Sequence, residues 1–333
     1  MKKQLLFLLI IIFNSSCSQQ DIPAIAFYYW KTNFRLSEVE KSTLAENNVT
    51  KIYIRYFDID LDSKNQPFPV SPIHFETKTS NFKIVPVVYI KNKVMLNASV
   101  NVNDLAQKTF DLINKINSKN LIAIQEIQID CDWTLSSRDN YLKFIEYFKK
   151  ISDKSLSATI RLHQIKYYKK TKIPNVDKGV LMYYNMGTIA ADSLNSIYDK
   201  NIASRYLESL KNYPLNLDIA LPIYSWCVHI RDNRVIGLRN KIEISNFKRD
   251  RNFAFDDNNY IKVKYSNYKQ GRFYKADDIL KLETISKNDL IEMASDLENN
   301  LKEDPKEIVF YDLDELNIKN YEKNIFKDVT ARF

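Results

Sequence analysis

Glycine is nearly absent from this 333-residue chain: there are four, and none follows the first apolar, β-rich run. That removes the Gly-rich phosphate loop on which a doubly wound nucleotide-binding sheet depends. Histidine is as scarce, with His74, His163 and His229 scattered and no metal-ligand spacing among His and Asp residues. Metal chemistry is therefore not indicated, and no cofactor is expected. Of the three cysteines, Cys131 and Cys227 fall in separate strand-like segments without paired spacing. That argues against a disulfide scaffold and against a zinc site, and both read as small buried hydrophobes. Beyond residue 17 no apolar run approaches the roughly 20 residues that a membrane-crossing helix needs. No block of consecutive basic residues stands out despite a net charge of +8, so a nucleic-acid partner is not expected.

The one uninterrupted apolar run stands at the N-terminus, from Leu5 to Phe13, behind Lys2 and Lys3 and ahead of Asn14-Ser15-Ser16-Cys17. Positive charge, a short apolar stretch and small residues in that order make residues 1–16 a secretory signal peptide. The residues around Cys17 resemble a lipobox, although Asn14 stands where a branched aliphatic residue is usual. In that reading Cys17 is lipidated and holds the protein on a membrane of the cell envelope. Removing residues 1–16, which carry two lysines and no acids, lowers the net charge from +8 to +6.

The rest of the chain, residues 17–333, alternates short β-rich runs with helical patterns, as a parallel sheet with crossover helices does. Eight runs can be counted: Ala24–Trp30, Lys51–Phe57, Lys83–Tyr89, Ile124–Trp133, Ser157–His163, Gly179–Met186, Asp218–Ser225 and Glu307–Tyr311. Several are apolar at nearly every position, which suits strands covered on both faces. Between them, Ser37 and Glu40 form a capping box. Tyr141, Phe144, Ile145 and Phe148 mark one apolar helical face, and Leu290, Ala294, Leu297 and Leu301 another. Eight β/α units in one domain predict an α/β fold, a (β/α)8 TIM barrel. The interval 227–285 is irregular and rich in alternating patterns such as Tyr260 to Tyr265, so it is expected to be a small β-rich insertion after the seventh strand that walls the active face.

In such a barrel chemistry sits at the C-terminal ends of the strands. The fourth run alternates Glu126, Gln128, Asp130 and Asp132 on one face with Ile127, Ile129, Cys131 and Trp133 on the other. The polar face is expected to point inward, because the apolar one suits a cover of helices. Two adjacent carboxyls in a water-poor cavity disfavour joint ionisation, so one of them can hold a proton for acid catalysis. Asp130 and Asp132 are the candidate catalytic pair. The plainer alternative is that they only bind backbone or Arg161. Other strand ends offer Tyr28 and Trp30, Arg55, Tyr89, Arg161 and His163, then Met182, Tyr184 and Asn185, and finally Tyr224 and Trp226. Aromatic faces beside carboxyls suit sugar rings, so a glycan is the expected partner.

Three local patterns, in order, resemble the family-18 glycoside hydrolases, the chitinase and endo-N-acetylglucosaminidase group. Asp130-Cys131-Asp132-Trp133 is similar to the end of that family's fourth-strand DxxDxDxE motif, Met182-Tyr183-Tyr184-Asn185 to its MxY(D/N), and Leu221-Pro222-Ile223-Tyr224 to its Pro-x-Tyr. The resemblance implies substrate-assisted cleavage of an amino-sugar glycan, in which a Glu protonates the leaving oxygen. Aligned directly, Thr134 stands in place of that Glu, which implies an inactive site; a shifted register makes Asp132 the acid and Asp130 the assisting residue, with Tyr184, Asn185 and Tyr224 holding substrate. Gln128, Asp130 and Asp132 also resemble the Gln-x-Asp-x-Asp strand of a bacterial barrel family with no assigned activity. Two readings therefore stand: an exported glycoside hydrolase and a non-catalytic carbohydrate-binding lipoprotein. They part on Asp132, which must face an open cleft for the first and is held in an ion pair with Arg161 for the second.

Overall fold

The computed structural model describes residues 22–79, 81–256 and 259–333; the expected signal peptide, residues 1–16, and Cys17 lie outside them. Eight parallel strands form a closed ring: β1 (Ala24–Tyr29), β2 (Lys51–Leu61), β3 (Lys83–Ile90), β4 (Glu126–Asp130), β5 (Ser155–Arg161), β6 (Lys178–Met182), β7 (Leu217–Pro222) and β8 (Glu307–Tyr311). Each pairs with the next in sequence, and β8 returns to β1 through Ala24 opposite Glu307 and Phe27 opposite Phe310. The ring has no free edge.

Strand and helix segments follow from their side chains. Apolar residues make up most of β3 and alternate with polar ones in β4, and Val87, Val88, Ile127 and Ile129 are wholly buried. The principal helices are α1 (Glu38–Glu46), α2 (Val102–Asn120), α3 (Arg138–Ile151), α4 (Lys200–Leu210) and α5 (Lys287–Glu298). Ser37 and Glu40 cap α1 reciprocally, and Tyr141, Phe144, Ile145 and Phe148 bury one face of α3. Trp133, just past β4, stacks on Tyr141 of α3 with centroids 4.4 Å apart.

Five expected strands run past their hydrogen-bonded ends: besides the fourth and sixth, the first stops at Tyr29, the fifth at Arg161 and the seventh at Pro222. β4 stops at Asp130, leaving Cys131 to Thr134 in the following loop, and β6 stops at Met182, leaving Tyr183 to Met186 outside the ladder. The side-chain alternation continues beyond the last ladder bond, and it was that alternation, blind to pairing, which set the longer bounds.

The barrel interior is polar in layers. Nearest the N-terminal mouth, Lys178 Nζ lies 2.8 Å from Asp218 and 3.0 Å from Glu307, and Lys51 Nζ lies 2.6 Å from Glu307 and 3.4 Å from Glu126. Above them the Tyr28 hydroxyl donates to Gln128 at 2.7 Å. Higher still, the Thr159 hydroxyl donates to Asp130 at 2.6 Å. A buried carboxylate is tolerated only when so paired or hydrogen-bonded.

Between β7 and α5 the chain forms a five-stranded antiparallel sheet, ordered Arg234–Asn240, Trp226–Arg231, Ile279–Glu283, Tyr260–Val263 and Phe253–Phe255. It has its own apolar cluster around Cys227, Phe247, Ile261 and Leu280. Because its first strand starts four residues after β7 ends, the sheet stands over the C-terminal face of the barrel.

Candidate functional site

A cavity of about 390 Å³ opens at the C-terminal ends of the strands. Asp130 ends β4 with its carboxyl pointing inward and only 5% of the residue exposed. Burial pushes its pKa up to about 6, with the neighbouring Asp132 adding to the rise while the Arg161 guanidinium and the Thr159 hydrogen bond oppose it. Asp132, two residues on, stands at the mouth with 42% of its side chain exposed, and Arg161 Nε donates to its Oδ1 in a close ion pair. Asp132 is therefore held in the salt bridge that separates the two readings. Thr134 does not line the cavity; its backbone N–H is bonded to Ser137 Oγ at 2.9 Å in the turn leading to α3.

Six aromatic rings, Trp30, Tyr89, Tyr184, Tyr224, Trp226 and Tyr311, stand in the remaining wall. Tyr184 stacks on Tyr311 at 5.6 Å, Trp30 meets Tyr311 edge-on at 5.5 Å, and Tyr224 lies 5.4 Å from Trp226. The Tyr184 hydroxyl reaches Met182 Sδ at 3.1 Å, and the Tyr224 hydroxyl donates to Asn185 Oδ1. Trp226 is oriented by its indole N–H, which donates to Glu283 of the neighbouring strand at 2.6 Å.

Of the residues expected from sequence, Trp30, Asp130, Asp132, Arg161, Met182, Tyr184, Asn185, Tyr224 and Trp226 line this cavity, together with Tyr89. Tyr28 and Gln128 do not: both are fully buried and bonded to each other beneath its floor, where no ligand reaches them. His163 lines a neighbouring cavity instead, and burial lowers its pKa. Arg55 is bonded to Asp58 at 2.6 Å and lines neither cavity.

The sequence reading missed Tyr311 and Asp312 at the end of β8, Asn317 beyond them, and Asn240 and Lys241 from the five-stranded sheet. Asp312 is buried, takes a hydrogen bond from Asn317 Nδ2 at 2.6 Å, and has its pKa raised by that burial. Lys241 Nζ lies 2.6 Å from Asp314 and 3.8 Å from Asp312. The strand-end rule pointed to Tyr311 and Asp312, whereas Lys241 gives no local signal because tertiary folding brings it in. Among the described residues, no three His, Cys, Asp or Glu side chains gather as a metal ion would need.

No protein-family model matches the sequence, and no curated protein matches it. Solved structures do match in shape. A chitinase from Bacteroides thetaiotaomicron superposes with a TM-score of 0.57 over 93% of this chain and 97% of its own, at 11% identity. This chain shares its barrel fold with that chitinase. A Cycas revoluta chitinase of family GH18, solved with (GlcNAc)3, gives a TM-score of 0.54 over 93% of this chain and 99% of its own, at 13% identity. The spore cortex-lytic enzyme SleL of Bacillus megaterium gives 0.57 at 12% identity, covering 92% of this chain and 73% of its own. Within this barrel, Asp132, Tyr184, Asn185 and Tyr224 share one cleft. The carboxyl at its mouth is neutralised by an arginine.

Proposed function

We propose that this chain binds a glycan in the cleft at the C-terminal face of its barrel and does not cleave it. The observation that carries the reading is the Asp132 to Arg161 ion pair. A general acid must present its carboxyl to the leaving oxygen, and here the Arg161 guanidinium occupies that carboxyl. Thr134, where the family resemblance places the acid, turns toward Ser137 and has no proton to give at neutral pH. What remains suits recognition. Trp30, Tyr224, Trp226 and Tyr311 offer flat faces for the C–H faces of sugar rings, while Asn185, Asn240 and Lys241 offer hydrogen bonds to hydroxyls. The chitinase neighbour solved with (GlcNAc)3 supports an amino-sugar glycan as the ligand class.

Hydrolysis has one observation in its favour, the raised pKa of Asp130. A proton held there reaches Asp132 only if Arg161 lets go. The experiment incubates the protein with chitin, peptidoglycan and N-glycan panels and measures both retention on the polymer and release of reducing ends. Retention without release is expected, and Trp226→Ala should weaken retention about tenfold. Release that Asp132→Asn abolishes would instead make the protein a hydrolase.

The order of charge, apolar run, small residues and Cys17 at the N-terminus supports export and lipid anchoring in the cell envelope. Cys17→Ala should abolish incorporation of labelled palmitate.

A further inference from the structure

Charge is spread unevenly along the chain. Residues 227–285, the five-stranded sheet with its loops, hold thirteen Lys and Arg against eight Asp and Glu, a net of +5, whereas residues 17–333 as a whole carry +6. Nearly all the excess positive charge therefore sits on this one unit. Its outside is also apolar: Val235, Ile236, Tyr265, Tyr268, Phe273 and Ile279 are six of the fifteen large hydrophobic side chains exposed among the described residues. Exposed apolar surface gathered in this way marks an interaction site.

Both features meet at the end of the sheet away from the barrel. Trp226 pairs with Asn240 beside the cleft, and the same two strands turn at Arg231 and Arg234, five residues or about 17 Å farther out. A hairpin of Asn267–Lys269 and Arg272–Tyr274 lies against that end. Across it Tyr268, 80% exposed, meets Phe273 with centroids 5.1 Å apart, and Arg231 Cζ stands 5.8 Å from the Phe273 ring. Arg272 reaches the outer strand, where a methyl group on Gly237 would meet its Nη1 at 3.5 Å. Arg231 is committed to Asp278 through Nε and Nη2, both at 2.7 Å, and Lys262 to Asp277 at 2.9 Å. Arg234 and Arg272, with Lys264 and Lys275 beside them, are exposed and form no ion pair among the described residues; Asp232 stands against them in the turn. None of these residues lines either cavity at the barrel mouth.

Unpaired cations ask for an anionic partner, and the apolar side chains decide which. A soluble acidic polysaccharide or a nucleic acid gives Tyr268 and Phe273 something to stack on but leaves Val235, Ile236 and Ile279 in water. The surface of an anionic bilayer takes all three kinds of side chain: aliphatic groups and phenylalanine at the acyl boundary, tyrosine among the headgroups, arginine and lysine on the phosphates.

We propose that the outer end of the five-stranded sheet docks on an anionic lipid surface through Arg234, Arg272, Tyr268 and Phe273. The described chain begins just before β1, at the opposite mouth of the barrel, so this contact is separate from any attachment through the N-terminus. It is also independent of what the cleft binds.

The test uses residues 18–333, which keep every described element and lack the apolar run and Cys17, so that vesicle binding reports this surface. The protein is sedimented with vesicles of phosphatidylcholine alone and of phosphatidylcholine with phosphatidylglycerol, at low and high salt. Binding should be at least tenfold tighter to the anionic vesicles and should weaken with salt. Arg234→Glu/Arg272→Glu should weaken it at least tenfold and Tyr268→Ser/Phe273→Ser at least fivefold, with melting temperatures unchanged because all four side chains are exposed. Lys115→Glu/Lys119→Glu, the same charge change on the exposed face of α2, should weaken it less than threefold. Equal binding to both vesicles, no binding to either, or an equal loss in the Lys115 and Lys119 variant overturns the docking surface. Binding that ignores the aromatic variant and is displaced by soluble polygalacturonate makes the partner an acidic polysaccharide and overturns the lipid assignment.

Discussion

Asp130 shows how one residue links fold and chemistry. Its inward position was legible from period-two alternation alone, and so was the expectation that crowding would favour a proton on one carboxyl of the pair. What alternation does not show is how the two differ: Arg161 reaches the outer carboxyl, while burial raises the pKa of the inner one. The sign of the consequence follows. The folded pKa of about 6 lies above the roughly 3.9 of an unfolded aspartate, so the protonated form is favoured by folding. Stability from this group is full below about pH 4 and is lost as pH rises through 6. Asp130→Asn keeps an acceptor for Thr159 and removes the buried charge. It should gain on the order of 3 kcal/mol over wild type at pH 8, each pKa unit being worth about 1.4 kcal/mol, and less than about 1 kcal/mol at pH 4. Denaturant unfolding at the two pH values checks this, and a difference independent of pH would contradict it.

At the scale of elements, helix α3 and strand β4 were readable because their periodicities are strong. Tyr141, Phe144, Ile145 and Phe148 repeat at helical spacing, and all four are fully buried against the barrel. Phe148→Ala should cost about 3–5 kcal/mol in unfolding free energy, while the exposed Lys143→Ala changes stability by less than about 0.5 kcal/mol. Equal losses at the two positions would mean that this face does not carry the packing. Element ends were harder to read, because pleated side-chain alternation persists into loops that no longer pair. Asp132 owes its freedom to reach Arg161 to that overrun: it sits two residues beyond the last strand residue of β4. The end of β8 was passed over for a different reason. The run Glu307–Tyr311 is short and its last aromatic reads as core, so Tyr311 and the buried Asp312 after it went unnoticed as cavity wall.

The whole molecule is a closed ring that uses its two mouths differently. At the N-terminal mouth Lys51 and Lys178 neutralise Glu126, Asp218 and Glu307, a plug in which every charge has a partner. At the C-terminal mouth the charges are only partly matched, with Arg161 donors left over and aromatic rings left uncovered. Ring closure was legible from the count and spacing of β-rich runs and from the missing glycine loop. Lys241 and Asn240 were not, since they enter the cleft from about 15 residues beyond Trp226 through the folding of a separate sheet. A plugged floor and a partly matched, aromatic rim leave the C-terminal face of the barrel as the side open to the proposed glycan. Crystals of the full chain soaked with (GlcNAc)4 test that claim most directly. The account predicts an intact tetrasaccharide against Trp226 and Tyr311 with Asp132 still on Arg161; cleaved sugar in the cleft, or sugar bound away from it, would contradict it.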